Sequence, residues 1–320
     1  MRTSQTLQYL IGPLELLHEQ AGPGLLRLTR IGIIALWIGK LLLDPLWRLA
    51  EMPRELFAPI GLLALLPPTV VDQLLTPTGL TLFLNFTLLV LVLCLTNCAF
   101  YLTATIAALL LTIYASLMRS FGPAVHTDIV PLLAVYVLAG FAWADFLEIG
   151  FSRKKPSEAG VWSSFPIVTI VAMLCFSYVL VGFNRVMSGG LHVFTGDTME
   201  VWAVDASLRG YYFNTNIGWH VPEWPTITLL LRLGLPIITL FEMTALLCLI
   251  SSHYRWIFIP TMLSFHLLSL VFMNIFFFDD MLLYLLLIDW SRRYPILNRR
   301  QNALSQEVPL EPASSAAPVP

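Results

Sequence analysis

The chain has 320 residues, 57% of them hydrophobic and 12% charged, with a formal net charge of -2. Soluble domains carry roughly 25% charged residues, so this composition, with a mean hydropathy of +0.77, excludes an ordinary soluble domain. The near-zero charge also argues against a nucleic-acid partner. Repeated apolar runs of helical-span length point to an all-α integral membrane protein, a polytopic bundle whose partner is the lipid bilayer.

Residues 1–25 contain no continuous apolar run, because Glu15 and Glu19 interrupt them. They read as an interfacial segment leading into LLRLTR and not as a signal peptide. A transmembrane domain over residues 26–290 follows. Its predicted spans are Ile31–Leu49, Gly79–Leu95, Ala99–Met118, Thr127–Ala144, Ser164–Phe183, Thr226–Ile250, Trp256–Ile275 and Met281–Trp290. The last is too short to cross ~30 Å at 1.5 Å per residue. It must borrow from the preceding FFFDD or be re-entrant, and seven spans is the alternative to eight. Residues 291–320, rich in Ala, Ser, Pro and Glu toward the end, read as a disordered cytoplasmic tail.

Lys and Arg in the connections set the orientation. With a cytoplasmic N-terminus that side carries Arg2, Arg27, Arg30, Arg153, Lys154, Lys155, Arg255, Arg292, Arg293, Arg299 and Arg300. The far side carries only Arg54, Arg119, Arg185 and Arg209. Both termini are therefore predicted inside, which needs an even span count. Two far-side connections are long. Ala50–Thr78 is apolar enough to lie along the surface. Asn184–Pro225 is rich in Trp, Tyr, His and Gly, and long ordered loops are usually functional.

Ionisable groups inside spans cost ~2.5–3.5 kcal/mol each on insertion scales, so each needs a reason. Lys40 and Asp44 can pair along one helix face. Glu242 has no partner at helical spacing on its own span, and Arg232 is a candidate. His266 and His126 sit in or at the start of spans without any metal-ligand spacing, so they read as core histidines or as proton-transfer groups. The four cysteines, Cys94, Cys98, Cys175 and Cys248, lie in or beside apolar runs and read as packing residues. After the fifth span come Arg185, Gly189, Gly190, His192, Asp197 and Glu200, a helix exit that can line a far-side polar pocket. There the glycines release the backbone and Asp197 or Glu200 can pair with Arg185.

Four blocks now add up to a resemblance. RIGIIALWIGKLLLDPLWRLAEMPRELFAPIGLL, HTDIVPLLAVYVLAGFAWADFLEI, YVLVGFNRVMSGGLHVFTGDTMEVW and FHLLSLVFMNIFFFDDMLLYLLL are similar, in this order, to segments of the HTTM (horizontally transferred transmembrane) family. That family includes the membrane domain of vitamin K-dependent gamma-carboxylase and bacterial peptide-maturation proteins. The resemblance implies a multi-pass protein of the bacterial cytoplasmic (inner) membrane with a reduced quinone as cofactor and a quinone or peptide as substrate. It implies catalytic roles for His126, Glu242 and His266, and ligand binding by Arg185, His192, Asp197 and Glu200. In the carboxylase a lysine deprotonates the hydroquinone, and Arg185 stands at that position. An arginine stays protonated, so Arg185 can hold an anion but cannot accept the proton. This favours a quinone-, lipid- or peptide-binding role over carboxylase chemistry. The enzymatic alternative needs a histidine as base.

Overall fold

The computed structural model describes residues 23–44, 46–121, 128–151, 165–190, 192–209, 217–275 and 277–288. His126 lies outside them, as do the N-terminal 22 residues and the tail from residue 289. Among the described residues all regular structure is helical.

α1 (Pro23–Leu43) starts earlier than the apolar pattern suggests and stops ahead of Asp44 and Pro45. The LLRLTR segment is thus the beginning of α1 itself, with Leu26 and Thr29 buried. The following connection folds back on the bundle as three 3-10 turns, Leu46–Glu51, Arg54–Leu56 and Gly61–Leu65, and a short helix α2 (Pro68–Leu74). Leu63, Val71 and Leu75 are buried, while Leu56 and Leu65 stay exposed.

α3 (Pro77–Leu95) opens with proline at its first position, where a missing N–H costs nothing, and the Thr76 side chain caps it by accepting from the Gly79 N–H at 3.0 Å. α4 (Phe100–Arg119) follows a tight turn with Asn97 and Ala99 at positive φ. α5 (Ile129–Phe151) and α6 (Phe165–Gly189) complete the first half. Two short helices, α7 (His192–Thr195) and α8 (Thr198–Arg209), and a 3-10 turn over Ile217–Glu223 lead to α9 (Pro225–Met243).

The predicted sixth span is broken. α9 ends at Met243, and α10 (Leu247–Ile250) is a separate turn that reverses the chain into α11 (Ser252–Met273). Arg255, counted above as a loop cation, is buried there and donates from Nε to the Cys248 carbonyl at 2.5 Å. α11 ends at Asn274, whose φ of 56° is the left-handed cap that Asn tolerates. α12 (Phe278–Leu283) and a 3-10 turn over Tyr284–Leu287 close the described chain.

Among the described residues, six helices are long and apolar enough to cross a membrane: α3, α4, α5, α6, α9 and α11. The chain is therefore a multi-pass, all-α membrane protein. α1 has comparable length, 21 residues, but carries Arg27, Arg30 and Lys40. The last predicted span consists of a six-residue helix and a four-residue 3-10 turn within the described residues. The helix starts within the FFFDD segment, and the described stretch remains too short to cross ~30 Å.

The core is built on α4, whose Ala104, Ala107, Ala108 and Ala115 are buried and let neighbouring helices approach closely. α4 packs most extensively on α5, and α1 inserts Trp37, which donates from Nε1 to the Pro131 carbonyl at 3.3 Å. A second close approach joins α6 to α9. A Cβ on Gly182 would lie 2.9 Å from the Glu242 Cβ and 3.0 Å from the Met243 nitrogen. Gly182→Val should therefore lower stability by about 1–3 kcal/mol, the usual cost of overpacking. Gly140→Val on α5, where a Cβ meets nothing within 4 Å, should leave the thermal unfolding midpoint in detergent nearly unchanged. Equal effects would reject the close-packing account.

Candidate functional site

The α6–α9 contact places the first buried charge pair. Three residues beyond Gly182, Arg185 donates from Nη1 to Glu242 Oε2 at 2.5 Å and to Thr239 Oγ1 at 2.8 Å, and from Nη2 to Glu242 Oε1 at 3.2 Å. The Glu242 side chain is 2% exposed and that of Arg185 13%. The planar guanidinium matches both carboxylate oxygens, the arrangement that best repays the desolvation of two charges. Sequence spacing offered Arg232 to Glu242. The structure gives it Arg185, because Gly182 draws α6 against that part of α9.

Arg232 pairs with Glu200 on α8. It donates from Nε at 2.7 Å, and its Nη2 also contacts the same oxygen, Glu200 Oε1. Asp197 and Glu200 were the carboxylates offered to Arg185, and Glu200 pairs with Arg232 instead. The other carboxylate oxygen, Glu200 Oε2, is buried without a hydrogen-bond partner. Beside this pair lies a cavity of about 790 Å³ whose polar lining includes Asp197, Glu200, Asp205, Thr228 and Arg232. Asp197 is exposed at its rim, and His192 is exposed on α7. The helix exit behaves as its glycines suggest: α6 runs to Gly189, and Gly190 takes φ 56° with its N–H on the Val186 carbonyl at 2.9 Å.

His266 is 2% exposed in the middle of α11. Its Nε2 lies 2.9 Å from the Tyr178 hydroxyl and 2.7 Å from the Tyr284 hydroxyl, and the two hydroxyls contact each other. The ring packs against Phe277 at a tilt of 37°, with centroids 4.6 Å apart. His266 Nδ1 is buried and has no hydrogen-bond partner. Three polar atoms from α6, α11 and the final 3-10 turn thus share protons around a ring, with one nitrogen left open.

A third polar group gathers where α1, α4, α5 and α12 meet. Lys40 donates to Asp279 Oδ2 at 2.7 Å, Tyr114 donates to Asp44, and Arg119 donates to Asp128. The sequence offered Asp44 as the local partner of Lys40, whereas the Lys40 bond reaches across the chain to Asp279. Burial pushes the Asp128 carboxyl above its ordinary range, with Arg119 and Lys40 pulling it back.

The candidates therefore separate into distinct places. Arg185 and Glu242 close on one another. Glu200 and Asp197 border the polar cavity, His192 stands outside its lining, and His266 belongs to the tyrosine cluster. Neither Arg185, Glu242 nor His266 lines that cavity.

Comparison with protein-family models, curated proteins and solved structures finds no match. The chemistry must be argued from the residues themselves. The arrangement offers a half-exposed guanidinium among carboxylates, and a buried imidazole with one open nitrogen.

Tyr178, Tyr284 and Asp279 were missed by sequence reasoning. The tyrosines sit inside apolar runs, FSYVLVGF and MLLYLLL, with no charged residue beside them to mark them. Asp279 had a signal, since a carboxylate pair at the start of a short apolar segment needs a cation nearby.

Arg185→Met and Glu242→Leu should each destabilise by about 3–5 kcal/mol, because each strands a buried charge. The double variant should recover most of that loss. Melting curves in one detergent read this directly, and additive losses in the double variant would show that the two charges are not coupled.

Proposed function

We propose that this chain is an HTTM-like membrane protein of eight spans, with both termini cytoplasmic, that binds the polar end of a quinone- or lipid-like ligand. The polar cavity beside Glu200 and Arg232 is the binding site, and a peptide under maturation would meet the ligand there. The observation that carries this reading is the cavity of about 790 Å³ built around that ion pair. Its volume is within the ~300–1,000 Å³ of small-molecule sites, which combine apolar walls with few polar groups. Val201, Leu208 and Leu229 supply such walls. Arg232, with 43% of its side chain exposed, replaces Arg185 as the cation offered to a ligand, since Arg185 is committed to Glu242.

The second reading is a membrane enzyme with carboxylase- or epoxidase-like quinone chemistry and a histidine base. What favours it is the open Nδ1 of His266, which can take a proton in the tautomer whose Nε2–H donates to a tyrosine hydroxyl.

One preparation tests both. The protein in lipid nanodiscs is titrated with reduced menaquinone under anaerobic conditions. Arg232→Gln should weaken binding by about ten-fold or more, in line with ~1.5–3 kcal/mol for a hydrogen bond to a charged group. Unchanged binding would reject the cavity. The same discs, given oxygen and bicarbonate, are read for quinone epoxide by mass spectrometry. Epoxide from the wild type and none from His266→Gln would move the assignment to the enzyme.

The orientation has its own test. Cys98 is exposed in the turn between α3 and α4 and is expected on the cytoplasmic side, while Glu223 precedes α9 on the far side. In intact cells a membrane-impermeant maleimide should label Glu223→Cys but reach Cys98 only after permeabilisation. The opposite pattern would invert the topology.

A further inference from the structure

A second cavity, apolar and about 330 Å³ in volume, lies between α8, α9 and α11. It uses Leu230, Gly234 and Ile238 of α9, whereas the polar cavity uses Pro225, Thr228 and Arg232. At 3.6 residues per turn these sets fall on opposite faces of the helix. The two cavities are separate sites.

The shape of the second one is informative. Its wall runs from Leu230 to Ile238 on α9 and from Thr261 to Met273 on α11. At 1.5 Å per residue these stretches are roughly 12 and 18 Å long. The groove is therefore elongated for its volume of about 330 Å³, a shape that an extended hydrocarbon chain can follow.

The groove also opens in the right direction. Leu230, Ile237 and Leu268 line it and are 60%, 54% and 47% exposed. Both walls are spanning helices, so these side chains face hydrocarbon, and Leu233 and Leu240 continue the same exposed surface along α9. The inner end is closed by Met199 and Ala203 of α8, both buried. At the groove wall a Cβ on Gly234 would meet nothing within 4 Å. The absent side chain therefore leaves free space and relieves no clash. A slot of this kind left empty forfeits dispersion contacts along its whole lining, and the medium on which it opens is lipid.

We propose that this groove holds one acyl chain of a membrane phospholipid, and that Gly234 keeps it open. The site is independent of the polar-cavity reading and survives or fails without it.

The test uses the full chain in nanodiscs of phosphatidylcholine doped with a phospholipid carrying a diazirine in one acyl chain. After irradiation the adducts are mapped by mass spectrometry. Adducts should concentrate on residues 230–238 and 261–273, several-fold above those on Leu82, Phe86 and Leu89, an ordinary exposed apolar stripe of α3. Gly234→Leu fills the groove from α9 and should bring labelling down to the α3 level. Ser264→Leu fills it from the α11 wall and should do the same, which keeps the test decisive if one variant does not fold. Arg232→Gln should leave the labelling as in the wild type. Labelling of the groove no greater than of α3, or undiminished labelling in a folded filling variant, would overturn the proposal. Loss of the labelling when excess isoprenoid quinone is present during irradiation would also overturn it, since the occupant would then be an isoprenoid chain.

Discussion

A buried charge must be neutralised at short range, and in this protein each such pair ties two elements of the fold together. The Arg185–Glu242 fork joins α6 to α9, Glu200–Arg232 joins α8 to α9, Lys40–Asp279 joins α1 to α12, and Arg119–Asp128 joins α4 to the residue preceding α5. Apolar packing is permissive about register, because one leucine-lined face fits another in many ways, and in lipid there is little hydrophobic force to bring helices together. A buried charge pair is not permissive. Sliding α6 along α9 by one turn would strand Arg185 and Glu242 together.

Such pairs contribute little net stability, since desolvation offsets most of their attraction. Their value here lies in specifying positions that the apolar pattern leaves open. α12 is the clearest case. Its six residues are too few to be held by burial alone as a spanning helix would be. Its place is fixed by Asp279 reaching Lys40 and, one turn later, by Tyr284 reaching Tyr178 and His266. Gly182 plays the complementary part at α6–α9, where removing a side chain lets the backbones come close enough for the guanidinium to reach both carboxylate oxygens.

Hydrophobic run length made most of the helices legible in the sequence, because a membrane span announces itself by composition. It did not reveal the break at Met243, because TALLCLI is as apolar as the helix before it. It extended the first span too far, past the Asp44–Pro45 stop. Charge partners were less legible still. Local spacing proposed Lys40 with Asp44 and Glu242 with Arg232, since positions three, four or ten residues away are all that a linear reading can rank. The pairs found lie between 9 and 239 residues apart, and only the packing of helices selects them. The residues that bear charge were visible. Their partners were not.

This distinction bears on where function can reside. A polar group whose bonds are met within the protein is poorly placed to act on anything else, since a ligand must first break what is there. Arg185 and Glu242 satisfy each other and Thr239, so Arg185 is structurally committed. Arg232 gives two nitrogens to Glu200 while its side chain remains almost half exposed beside a cavity. His266 has one nitrogen engaged and one open, deep in the bundle. Unmet hydrogen-bonding capacity, more than residue type, separates the sites still able to bind from those that hold the fold. By that measure the α8–α9 cavity is the stronger candidate for the proposed binding site, ahead of the His266 cluster.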